Sequence, residues 1–144
     1  MTTDWPDRLY IDNIHHEKYL ELLGKGGGEV GPFQTLKEIF MYSVILGVLN
    51  DMQEPVKKKK ELIFEKYLDS KTDKPLLQCI YLLATKKDES ILDKKGAVEL
   101  LQEYANGGFG LLYEIVNKGY DKVEALAHHL IKNHIKQSDV EHAD

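Results

Sequence analysis

The stretch Leu36–Leu49 is apolar on nearly every side, and a helix of that kind has to be surrounded by other protein. Leu36, Ile39, Phe40, Val44, Ile45, Val48 and Leu49 recur at helical spacing, and Met41 and Leu46 widen the stripe. The start is marked as well. Thr35 and Glu38 stand three apart in the form of a capping box, where hydroxyl and carboxylate satisfy the first free backbone donors. Such a helix belongs at the centre of a core or in a dimer interface. A chain of 144 residues is long enough to build that core in one domain.

The segments around it read as further helices. Arg8, Leu9, Tyr10, Ile11 and Asp12 alternate polar and apolar, which predicts a short strand or extended arm. Asn13 is placed to cap a helix over residues 14–23, and the glycines of residues 24–32 end it in a flexible loop. Pro55 and the run Lys57, Lys58, Lys59, Lys60 mark residues 51–60 as a linker. Residues 61–68 suit a short helix or a strand equally. Asp73 and Pro75 open a helix to Thr85, since proline in a first turn forfeits no helical hydrogen bond. Helices are expected over residues 94–105 and 109–117, separated by a break at Asn106, Gly107 and Gly108. A last helix from about Asp121 to Lys136 buries Val123, Ala127, Leu130 and Ile131, and residues 137–144 form a disordered tail. The expected fold is mostly α: a single compact domain over residues 1–136, with about six helices and a short N-terminal strand.

Charge and composition narrow the function. The chain carries −5, and only Arg8 among its 19 basic residues is an arginine. An autonomous nucleic-acid binder usually carries a clustered basic face and uses arginine to read guanine and phosphate. No apolar run approaches the ~20 residues that span a bilayer. The N-terminus lacks the basic-then-apolar order of a secretory signal. Cys79 is single and flanked by Leu76, Leu77 and Ile80, so it reads as a buried, inert thiol. These features make the cytoplasm the expected location.

Each constellation that suggests chemistry fails on spacing or setting. The loop of residues 24–31 lacks the lysine followed by serine or threonine that a phosphate loop needs, and a helix precedes it where a strand belongs. His134 lies six residues from His128 and five from His129, so neither pair stacks cleanly on one helical face, and His15, His16 and His142 add no ligand spacing. No metal and no cofactor are expected. The acid pairs Asp88 with Glu89 and Glu99 with Glu103 fit solvated faces better than acid–base work. Lys57 to Lys60 is the one basic cluster, diluted by Glu54, Glu61 and Glu65. No enzymatic activity is expected.

The order of strand, helix and apolar helix permits a second reading, a ribbon-helix-helix dimer. There, two strands pair antiparallel and present alternate side chains to the major groove. Arg8, Tyr10 and Asp12 would face DNA, and Leu9 and Ile11 would face inward.

Three stretches carry a family resemblance. They are Pro32 to Gly47, beginning Pro32-Phe33-Gln34-Thr35-Leu36-Lys37-Glu38, then Leu82-Leu83-Ala84-Thr85 through Ile91-Leu92, and Glu103-Tyr104-Ala105-Asn106-Gly107-Gly108-Phe109. In this order they resemble the DNA phosphorothioation-associated protein 4 family, encoded beside bacterial systems that replace a phosphate oxygen of DNA with sulfur and restrict unmarked DNA. The resemblance covers residues 31–116 and implies a process, defence against foreign DNA, with protein partners from that system. It brings no catalytic residues. Glu103, Tyr104, Asn106, Gly107 and Gly108, its sharpest part, become candidate partner contacts. DNA contact is expected to be indirect and a homodimer is allowed, while no membrane role is implied.

Overall fold

Two helices crossing at backbone contact form the axis of the fold. A computed structural model of the chain describes residues 4–23, 33–86 and 93–118. Strand β1, Arg8–Asp12, leads into a 3₁₀ turn and helix α1, His16–Glu21. Helix α2, Leu36–Leu49, precedes strand β2, Lys59–Phe64, then come α3, Asp73–Thr85, and α4, Lys94–Lys118. Four α-helices are therefore present among the described residues, where about six were expected. The expected loop 24–32, last helix and tail lie outside the described residues.

Helix α2 has its expected limits, and its surroundings follow from its composition. Ile39, Phe40, Val44 and Leu46 are almost wholly buried. Thr35 Oγ1 accepts from the Glu38 amide at 3.1 Å, while Glu38 Oε2 reaches back one residue further, to the Gln34 amide at 3.3 Å. Met52 N donates to Gly47 O at 2.8 Å where the chain leaves the helix through Asp51, in the left-handed region at φ 53.

The ambiguity at residues 61–68 resolves into β2 followed by a 3₁₀ turn, Glu65–Tyr67. β1 and β2 pair antiparallel, Arg8 opposite Phe64, Leu9 opposite Ile63 and Tyr10 opposite Glu61, with a register shift between Leu9 and Tyr10. Leu9, Ile11 and Ile63 turn into the core, which Tyr19, Leu77, Leu101, Phe109 and Leu112 complete. The basic run is thus part strand rather than linker, because pairing with β1 satisfies backbone groups that a free linker would leave to water.

Three local expectations are corrected. Asp12, not Asn13, caps the first helical turn, its Oδ1 accepting from the Ile14 amide at 3.2 Å. Cys79 is exposed, because Leu77 and Ile80 take the inner face of α3. The chain does not break at Asn106, Gly107 and Gly108, for α4 runs through all three. Glycine costs an isolated helix about 1 kcal/mol per residue. Here the loss is offset by packing that only glycine admits.

Candidate interaction surface

The stretch Glu103 to Gly108 is the seam of the molecule. Ser43 and Gly47 lie one turn apart on α2, and Tyr104 and Gly108 lie one turn apart on α4, so both pairs meet at the crossing. A Cβ on Gly108 would stand 2.0 Å from the Ser43 carbonyl oxygen, and one on Gly47 would stand 2.0 Å from that of Tyr104. Gly107 serves the connector after α2, since a Cβ there would come within 2.1 Å of the Met52 carbonyl oxygen.

Asn106 ties the same connector down. Its Nδ2 donates to Glu54 O at 3.3 Å and Pro55 O at 3.0 Å, and the Glu54 amide donates to Glu103 O at 3.1 Å. Tyr104, Asn106, Gly107 and Gly108 are buried. Glu103 is half-buried and accepts from Gln53 Nε2 at 2.6 Å. The stretch singled out in the sequence for partner contact is occupied in holding α2, α4 and the connector together.

The groups with displaced titration also do structural work. Burial alone would raise the Asp12 carboxyl, but amide donors from Lys57 and Ile14 outweigh it and hold the group below its ordinary value. Burial lowers His15, which lies 5.0 Å from the Phe109 ring, against the pull of Asp12 and Asn106. Burial likewise raises Tyr19, stacked on Phe109 at 4.3 Å in the core. Among the described residues, no three of His, Cys, Asp and Glu converge in a way that could hold a metal ion. His128, His129, His134 and His142 lie outside the described residues.

The outward face of the ribbon is differently made. Arg8 lies over the Phe64 ring at 5.2 Å, Lys59 over Tyr10 at 5.5 Å, and Lys66 over both Phe64 and Tyr67 at 5.7 and 5.3 Å. Phe64 and Tyr67 are 44% and 61% exposed, although rings of that size usually find cover. Between this face and the start of α4 lies an open groove of about 670 Å³. Its walls mix Arg8, Lys59 and Lys95 with Asp4, Asp7 and Glu99, around Trp5 and Tyr10.

Of the three residues assigned to DNA in the ribbon-helix-helix reading, Arg8 and Tyr10 face outward and Asp12 does not. Asp12 is 3% exposed and its second oxygen accepts from the Lys57 amide at 2.9 Å. The strand itself is committed elsewhere. One edge of β1 pairs with β2 of the same chain, and the Tyr10 amide donates to Gln102 Oε1 of α4 at 2.8 Å. A second copy would therefore have to displace Gln102 from the Tyr10 amide to pair along the other edge of β1.

The sequence model of the family described as DNA sulphur modification system-associated protein 4 matches residues 14–144. The chain belongs to this family. No curated protein matches it, nor does any solved structure. The match takes in the C-terminal quarter, which the resemblance read from the sequence left out. It begins after Asp12, so Arg8, Tyr10 and Asp12 stand outside it. Sequence reasoning missed Phe64, Lys66 and Tyr67. The signal available was two aromatics beside a lysine in a segment whose secondary structure could not be assigned.

Proposed function

We propose that this chain, a member of a family associated with a DNA sulphur modification system, serves that system as a non-catalytic interaction protein. The observation carrying the reading is the family match over residues 14–144. The geometry is in keeping with it. The family-like stretch Glu103 to Gly108 acts in packing, and the displaced titrations of Asp12, His15 and Tyr19 have structural causes. On this reading the partners are the system's own proteins, and the process is modification or restriction of DNA in defence against foreign DNA. No described helix is long and apolar enough to cross a membrane.

Co-expression of the tagged chain with the proteins of the neighbouring modification system tests the proposal. The expected result is a defined complex that survives gel filtration. Repeated recovery of the chain alone, under conditions where the other components are soluble, would overturn it.

A further inference from the structure

The exposed end of the β-ribbon combines three features that are seldom left to solvent together. Phe64 and Tyr67 project unburied, their ring centroids 6.4 Å apart and their planes inclined by 60°. Cations lie against both rings: Arg8 over Phe64, and Lys66 over Phe64 and Tyr67. The segment leading to them, residues 57–67, holds five lysines against two glutamates, a net +3 in a chain of −5. Both glutamates are already matched, Glu61 by Arg8 and Glu65 by Lys74.

We infer that this face binds single-stranded DNA. Exposed aromatic faces accept unpaired bases of any sequence, and a lysine track beside them follows the phosphates. Charge decides where on the ribbon the strand lies. In the groove by α4, Asp4, Asp7 and Glu99 oppose Arg8, Lys59 and Lys95. At the ribbon end Lys66 has no carboxylate partner among the described residues, and Lys57, Lys58 and Lys60 are exposed. The strand therefore runs from Lys57, Lys58 and Lys60 toward Phe64 and Tyr67, with Arg8 and Lys59 at the margin this face shares with the groove.

A single strand is preferred to a duplex because stacking on Phe64 and Tyr67 needs open bases, which a paired duplex keeps inside its own stack. An acidic peptide would use the lysines but has no need of the ring faces. The association with a DNA modification system makes DNA the strand of choice over RNA. The inference stands apart from the partner reading: the co-expression experiment can fail with strand binding intact, and the reverse.

Fluorescence anisotropy of a labelled fifteen-nucleotide oligothymidylate, titrated with the full chain at low salt, provides the test. Saturable binding tighter than to a duplex of equal length is expected. Phe64→Ala and Tyr67→Ala should each weaken it by about 5- to 150-fold. Both side chains are exposed, so circular dichroism should show an unchanged fold. A Lys57→Gln, Lys58→Gln, Lys60→Gln variant should flatten the log–log salt dependence by about 2. Failure to bind at low salt overturns the inference, as does binding unaffected by loss of either ring. Displacement by a polyglutamate peptide as efficient as by unlabelled strand assigns the face to an acidic protein instead. Tighter binding of a ribo-oligonucleotide overturns the choice of DNA.

Discussion

Replacing Gly108 with alanine should force α2 and α4 apart. The added methyl would lie 2.0 Å from Ser43 O, 2.5 Å from Gly47 N and 2.9 Å from Gly47 Cα, whereas Cβ contacts below 3.0 Å essentially never occur. All three atoms are backbone, so no side chain can turn aside. The helices must separate by about 1 Å, which forfeits a quarter to a half of each contact across the seam. Overpacking of a core typically costs about 1–3 kcal/mol, and a purely backbone clash belongs at the upper end. Alanine returns about 1 kcal/mol of helix propensity, leaving a net loss of about 2 kcal/mol. For a domain of this size that corresponds to a fall in Tm of roughly 6 °C. Gly110, two residues along the same helix, supplies the control, for a Cβ there meets nothing within 4 Å. Gly110→Ala should raise stability by up to about 1 kcal/mol. Urea and thermal denaturation followed by far-ultraviolet circular dichroism measure both. If Gly108→Ala is as stable as the parent, the close crossing of α2 and α4 is wrong.

Other substitutions probe single links. Asn106→Ala removes both donors to the Glu54 and Pro55 carbonyls and should cost about 1–3 kcal/mol, with faster amide exchange in the connector after α2 as its local signature. Asp12 titrates below its ordinary value in the folded state, so its contribution is present above the unfolded pKa of about 3.9 and is lost as pH falls through the folded value. Asp12→Asn, which keeps a capping oxygen, should lower stability at pH 6 and flatten its decline below pH 4 in urea titrations at about those values. Tyr19→Phe should change stability by less than about 1 kcal/mol, because the buried hydroxyl has no well-formed hydrogen bond and the stack on Phe109 is retained. A loss above 3 kcal/mol, roughly the most that one buried hydrogen bond sustains, would show the hydroxyl to be bonded after all. His15 should titrate below about 6.5 when followed by proton NMR, since burial disfavours its charged form.

What the sequence determined by itself was local. Helix α2 was legible from end to end because its signals, a cap in Thr35 and Glu38 and a dense apolar period, lie within a few residues of one another. The alternation of Arg8 to Ile11 marked β1 for the same reason, and the family resemblance rested on short contiguous stretches. The tertiary structure decided everything that depends on a distant partner. Residues 59–64 are a strand because β1 supplies their hydrogen bonds, and Cys79 is exposed because its neighbours occupy the inner face of α3. The turn of meaning at Asn106, Gly107 and Gly108 is the clearest case. Read along the chain, two glycines after an asparagine end a helix. In the fold Gly108 lets one helix pass the other against Ser43 and Gly47, and Gly107 admits the connector at Met52, because the atoms they make room for are more than fifty residues away in sequence.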